Sequence, residues 1–262
     1  MYLMESSEEG RRLLAQEGAV SSVRTILTGT GLVAGARALD AGCGPGGISE
    51  MLADIVGEAG HVTGLDLNEE RIRDATGRNA HRPWLRFLQG DVRRTGLPDA
   101  SFDYVWSQYV FEYLPDREVA LAELMRVTRP GGRVVISDID GLGLQNWPFT
   151  DKLREGTQRI ADALSTRGFD LHVGRKLFSE FRKAGLRDVR VHLLPFYLVA
   201  GAADERLMKD WEVRFAALEP VAAPAFGGRE PYQEHCREYL RMLADPDGLK
   251  YAVTLVTEGT RP

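Results

Sequence analysis

The run Arg37-Ala38-Leu39-Asp40-Ala41, followed by Gly42-Cys43-Gly44-Pro45-Gly46-Gly47, constrains this chain more than any other feature. A short apolar run reads as a buried strand and the glycines as a tight turn. Ile48 to Val56 is then a helix opening straight from that turn. The rhythm repeats downstream. His61 to Asp66 is a strand, Asn68 to Asn79 a helix capped by Asn68, and Trp84 to Gln89 and Phe102 to Ser107 are strands. Asp116 caps a helix that runs to Thr128, Arg129-Pro130-Gly131-Gly132 makes a turn, and Arg133 to Ile139 is a β-branched strand. Strands alternating with helices in this way imply an α/β fold, a parallel sheet covered on both faces.

The flanks read differently. From about Ser7 to Thr28, apolar residues recur at helical spacing, Ser6 or Ser7 can cap, and Gly29 and Gly31 stop the helix. After Asp140 the rhythm breaks. It resumes with a helix from Arg175 to Ala184 and a strand from Asp188 to Leu194, and Tyr251 to Thr257 is the last strand. The expectation is a single domain over residues 1–262. It carries an N-terminal helical lid segment (1–30) and two insertions (141–173 and 196–248) that cap a substrate above the carboxyl ends of the strands, where open α/β sheets bind ligands.

Composition narrows the partners. The net charge of −5, with no clustered Lys/Arg face, argues against nucleic acid. Cys43 and Cys236 have neither CxxC spacing nor a histidine pattern, so no metal site is expected. Met1 to Glu9 has no basic or apolar signal region, and no run of eighteen apolar residues occurs, so the expectation is a cytoplasmic protein without a membrane span.

Gly42, Gly44 and Gly47 satisfy the dinucleotide pattern GxGxxG, which alone identifies no cofactor. Asp66, at the end of the second strand, can accept hydrogen bonds from both hydroxyls of an adenosine ribose, which suits NAD and S-adenosylmethionine equally. Two further acids separate them. Asp40, directly before the loop, would repel a pyrophosphate but suits a ligand carrying a sulfonium and an ammonium group. Asp91, in Gly90-Asp91-Val92 after the third strand, can accept from the adenine amine.

Ala38-Leu39-Asp40-Ala41-Gly42-Cys43-Gly44-Pro45-Gly46, Gly64-Leu65-Asp66-Leu67 and Gly90-Asp91 resemble the successive cofactor motifs of class I S-adenosylmethionine-dependent methyltransferases. The flavour is that of the quinone-biosynthesis and natural-product small-molecule branch. Leu97-Pro98-Asp99 with Ser101-Phe102-Asp103-Tyr104-Val105, and Arg129-Pro130-Gly131-Gly132-Arg133-Val134, are similar to that family's entries into its fourth and fifth strands. The resemblance implies a Rossmann-like, doubly wound, seven-stranded mixed sheet whose last strand is antiparallel. It further implies that Asp40, Ala41, Gly42, Cys43 and Gly44 form the loop against the methionine part of the cofactor. Asp66 and Leu67 would meet the ribose, Asp91 and Val92 the adenine, and Ser107 and Gln108 would lie beneath. Tyr2 and Arg12 match a lid segment that reaches the methionine carboxylate in some relatives.

Methyl transfer from a sulfonium is an in-line displacement with a neutral leaving group, so positioning and exclusion of water are the main tasks. A hydroxyl acceptor also benefits from a base. His172, just before Val173-Gly174-Arg175 at the junction of cap and sheet, is the expected base, ahead of Asp138, Asp140, His192 and His235. The expected activity is methyl transfer to an O, N or C atom of a small-molecule acceptor in secondary metabolism. Two readings compete with it: an NAD-dependent oxidoreductase, and a non-catalytic S-adenosylmethionine-binding protein.

Overall fold

The computed structural model describes residues 17–141 and 143–262. The N-terminal strand β1 (Arg37–Ala41) is buried at all but its first residue, as expected of a parallel strand with helices on both sides. It is followed by α2 (Gly47–Val56), β2 (His61–Asp66), α3 (Glu69–Arg78), β3 (Leu85–Gln89) and β4 (Phe102–Gln108). A helix, α1 (Glu17–Gly29), precedes them. Then come α4 (Arg117–Val127), β5 (Thr128–Asp140), β6 (Asn146–Trp147), α5 (Asp151–Ser165) and α6 (Val173–Lys183). The chain finishes with β7 (Arg187–Ala200), α7 (Glu205–Ala222), α8 (Arg229–Leu243) and β8 (Leu249–Thr260).

The strands lie in the order β3-β2-β1-β4-β5-β8-β6, with β7 on the other side of β8. β1 to β5 are parallel, and β8 runs antiparallel to β5, β6 and β7. Seven long strands therefore match the expected sheet, with the two-residue β6 as an added edge. The chain winds outward from β1 through β2 to β3, then returns to β4 on the opposite side. The reversal between β1 and β4 opens a crevice at their carboxyl ends, and the glycine turn sits there.

Each face of the sheet carries its own apolar layer. Leu121, Leu124, Leu177 and Phe181 from α4 and α6 cover one face, and Leu27, Leu52, Val56 and Ala75 from α1 to α3 the other. A third apolar cluster joins both insertions. Leu153, Ile160 and Leu164 of α5 meet Trp211, Phe215, Tyr232 and Tyr239 of α7 and α8, with Ile139 of β5 beneath them. The two insertions thus share one core, because each amphipathic helix alone would leave its apolar stripe in water.

Several boundaries differ from expectation. β5 starts at Thr128 rather than Arg133, because the Pro-Gly-Gly segment is taken up as a register shift opposite β4. β7 continues to Ala200 through a second shift between Pro195 and Tyr197, where proline has no N–H to give the ladder. The second insertion is shorter by that much. Asn68 does cap α3, accepting from Arg71 N at 3.0 Å. Asp116 makes no side-chain cap to α4; one of its oxygens lies 3.6 Å from Arg93 Nη1 instead.

Candidate active site

The site is built where three strand ends meet. Gly42 N and Cys43 N both donate to Leu65 O, at 2.7 and 2.9 Å, and Gly90 N donates to Asp66 O at 2.9 Å. The in-register pairs Ala41↔Leu65 and Asp66↔Gln89 bring the carboxyl ends of β1, β2 and β3 to one level. The loop adopts backbone shapes that only glycine takes without strain: φ is +82° at Gly42 and +53° at Gly44. A Cβ on Gly42 would stand 2.3 Å from Val110 Cγ2, so its hydrogen is needed for packing. A Cβ on Gly44 would meet nothing within 4 Å, which leaves the loop's outer side open to a ligand.

Asp66 joins the loop to the second strand. Its Oδ2 accepts from Gly44 N at 2.8 Å and its Oδ1 from Asn68 N at 2.9 Å. A carboxylate has about four acceptor positions, so each oxygen keeps capacity for a ligand hydroxyl. The next residue, Leu67, is 57% exposed, a large apolar side chain standing bare beside Asp66. The open Gly44 face, the half-used Asp66 carboxylate and the bare Leu67 side chain together suit a nucleoside.

Asp40 stands behind the loop. It is buried, and Ser49 Oγ in the first turn of α2 donates to its Oδ2 at 2.6 Å. Burial pushes its carboxyl up to about 7, against the Ser49 bond that lowers it, with the Asp66 charge adding to the rise. The charge expected to repel a pyrophosphate is therefore only partly present at neutral pH. Asp91 is engaged as well: Arg93 Nε and Nη2 donate to its two oxygens at 3.0 and 2.6 Å, and this pairing lowers its carboxyl below the usual range. Cys43 is buried, which raises its thiol well above normal, so it serves the loop through its backbone.

Other expected residues face inward. Ala41 and Val92 are packed in the core, and Ser107 Oγ donates to Ala41 O at 2.8 Å, tying β4 to β1 beneath the loop. Gln108 is half-buried at the same rim, and its Oε1 has no hydrogen-bond partner. Tyr2 and Arg12 lie outside the described residues.

His172 is carried to the end of β5 rather than to the glycine loop. It precedes α6, makes no cap bond with its side chain, and its ring lies against Gly141. Its Nδ1 is buried without a partner. Its rivals are committed elsewhere. Asp138 is buried, accepts from Glu112 N and Ile139 N, and is pushed up to about 7 by burial. Asp140 is held by Arg175 at 2.6 Å, and His192 Nε2 meets Glu258 Oε1 at 2.9 Å. His235 is buried in the cap core, and burial lowers it to about 4.

Sequence reasoning missed Ser49, Arg93 and the role of Asp138 under the turn after β4. Ser49 carried a signal, since it falls in the first turn of a helix packed on β1. Arg93 and Asp138 carried none, because their partners depend on side-chain direction.

Comparison with known proteins follows the same geometry. Residues 39–136 match a methyltransferase domain family. Demethylmenaquinone methyltransferase of Staphylococcus aureus is 35% identical over 180 residues, 64% of this chain and 75% of that protein. The 2-methyl-6-phytyl-1,4-hydroquinone methyltransferase of Synechocystis is 38% identical over 104 residues, 40% of this chain but only 32% of that protein's length. Among solved structures, a SAM-dependent methyltransferase from Aquifex aeolicus superposes with a TM-score of 0.58 at 17% identity, covering 98% of this chain and 100% of that one. No helix among the described residues is long and apolar enough to cross a membrane. Fold, motif order and these relatives agree against a nicotinamide enzyme: the chain belongs to the class I S-adenosylmethionine-dependent methyltransferases.

Proposed function

We propose that this protein transfers the methyl group of S-adenosylmethionine to an oxygen-bearing aromatic small molecule bound beneath the helical cap, in the cytoplasm and in secondary metabolism. The observation that carries the reading is Asp66. Its carboxylate is fixed by Gly44 N and Asn68 N at the reversal point of the sheet, with acceptor capacity left over beside an open glycine turn. Bound there, S-adenosylmethionine supplies an electrophilic methyl on a sulfonium, whose departure needs no acid.

The chain's own residues do the rest. Gly42 and Gly44 let the backbone come close, Asp66 holds the ribose hydroxyls, and Leu67 offers an apolar surface to the nucleoside. Asp91 would share its acceptor capacity between Arg93 and the adenine amine. Tyr2 and Arg12, on the N-terminal segment, would close over the methionine carboxylate. The cap, from the insertion at 141–173 and the one that follows β7, excludes water.

Aromatic residues between cap and sheet support an aromatic acceptor. Tyr109, on the rim after β4, packs edge-on against Phe196 at 5.9 Å between centroids, and Phe196 against Tyr197 at 6.0 Å. Two relatives named for quinone-type substrates fit this reading. His172, with a buried nitrogen free of partners at the end of β5, would take the proton of a hydroxyl acceptor.

Calorimetry with S-adenosylmethionine, S-adenosylhomocysteine and NADH, followed by methyl transfer to a panel of phenols and hydroquinones, tests the assignment. The sulfur compounds bind and NADH does not; the reverse preference would refute it. His172→Ala is expected to abolish most turnover of hydroxyl acceptors while leaving cofactor affinity intact.

A further inference from the structure

We infer that Tyr109 is a positioning residue for methyl transfer: it holds the cofactor turn and the helical cap in register, and so fixes where an acceptor stands relative to the methyl donor. The inference rests on the function proposed above and adds to it the link that joins the two halves of the site.

Tyr109 follows β4 on the side of the sheet where its strand order reverses, and there the backbone leaves the strand abruptly. Its φ is +55°, in the left-handed region that a bulky side chain seldom enters, and such a residue persists only where its surroundings hold it. Three contacts do so. Tyr109 N donates to Ser137 O of β5 at 3.0 Å, and its hydroxyl shares a hydrogen bond with Thr254 Oγ1 of β8, also at 3.0 Å. Its ring meets Phe196 of β7 edge-on, at 5.9 Å between centroids. Burial raises the hydroxyl to about 12, outweighing the Thr254 bond that lowers it, so it stays a neutral tie and supplies no base.

The turn at Tyr109 is braced on both sides. Toward the cofactor, the next residue, Val110, is buried, and its Cγ2 stands 2.3 Å from where a Cβ on Gly42 would be. Toward the cap, Phe196 sits in the register shift between Pro195 and Tyr197, and a bulge of this kind re-aims a side chain. The Phe196 ring is covered in turn by the Arg214 guanidinium of α7, at 5.5 Å. Contacts thus run without a break from Gly42 through Val110, Tyr109 and Phe196 to a cap helix. Two irregular backbones, a left-handed residue and a bulge, meet at the one ring contact in the middle of that chain.

Methyl transfer makes that spacing matter. An in-line displacement needs its reacting atoms about 3–3.5 Å apart, and a misplacement of about 1 Å can cost roughly a hundredfold in rate. The glycine turn and the cap belong to different apolar clusters, Cys43 to one and the cap helices to another. Neither cluster by itself sets the distance between them. A strained residue braced against both does, and its hydroxyl bond to Thr254 is the polar tie that holds the ring in place.

The test compares Tyr109→Phe, Thr254→Val and the double variant, which remove one hydrogen bond from either end and then from both. The acceptor is the phenol or hydroquinone of the panel above that the unaltered protein methylates fastest. Each single variant is expected to lower kcat about tenfold or more, with S-adenosylhomocysteine affinity by calorimetry kept within about twofold. The double variant regains melting temperature lost in the single ones, since no polar partner is left unpaired, yet its kcat stays as low as theirs. Tyr109→Asn, which accepts a left-handed backbone but has no ring, is expected to keep the cofactor affinity and lose about tenfold or more in kcat. An unchanged kcat in Tyr109→Phe or Tyr109→Asn, a kcat that recovers with melting temperature in the double variant, single losses that multiply there, or cofactor affinity falling in step with kcat would overturn the positioning role. No methylation of any panel member by the unaltered protein would overturn the proposed function, and the positioning role with it.

Discussion

Asp40 is an acid placed where ionisation is expensive, and this gives a prediction with a definite sign. Its carboxyl rises from 3.8 to about 7, chiefly through burial, against the favourable bond from Ser49 and with the neighbouring Asp66 adding repulsion. In the unfolded chain Asp40 ionises near its ordinary value. Between these two values the unfolded state is charged while the folded state holds its proton, so the folded state binds more protons and loses stability as pH rises. Each pH unit in that window costs about 1.4 kcal/mol, and the cost levels off above the folded value at about 4 kcal/mol. Asp40→Asn keeps an oxygen to accept from Ser49 but cannot ionise. Denaturant unfolding of both proteins at pH 4, 5, 6, 7 and 8 should show near-equal stability at pH 4, with the variant's advantage growing to about 4 kcal/mol at pH 8. Asp138, also raised to about 7 by burial, adds a similar slope to both proteins and cancels in the difference. A difference that stays flat with pH, or a variant less stable than the original at pH 8, would refute the reasoning.

Two other substitutions follow from the loop. Asp66→Ala removes the acceptor for Gly44 N and Asn68 N as well as for ribose hydroxyls; with about 1.5–3 kcal/mol per charge-assisted bond, S-adenosylhomocysteine should bind at least a hundredfold more weakly by calorimetry. Gly42→Ala forces a methyl to within 2.3 Å of Val110 Cγ2 at a residue with φ of +82°, so thermal unfolding should show a loss of about 2 kcal/mol or more; an unchanged melting temperature would mean the loop is not packed as described.

The alternation of strand and helix, the glycine turn and the acids at successive strand ends were legible because they depend only on local spacing and residue type. Periodicity of 2 or 3.6 survives in any single sequence, and a glycine turn between a strand and a helix has few other uses. The positions of Asp40, Asp66 and Asp91 could be read off in the same way. What each carboxylate does could not. Asp40 turned out to be occupied by Ser49, and Asp91 by Arg93, because a side chain's direction is set by contacts between elements and leaves no trace in spacing.

The insertions show the same division more sharply. Their helices were foreseeable only as a break in rhythm, whereas their shared core of Leu153, Ile160, Trp211, Phe215 and Tyr239 unites stretches some fifty or more residues apart. The placing of the His172 ring against Gly141 at the end of β5 likewise needed the closed fold. Sequence alone determined the sheet, the turn and which residues stand at its rim, since each is fixed by neighbours along the chain. Tertiary structure decided which of those groups are already paired and which are left for a ligand, since burial and hydrogen-bond partners are settled only when distant segments pack together.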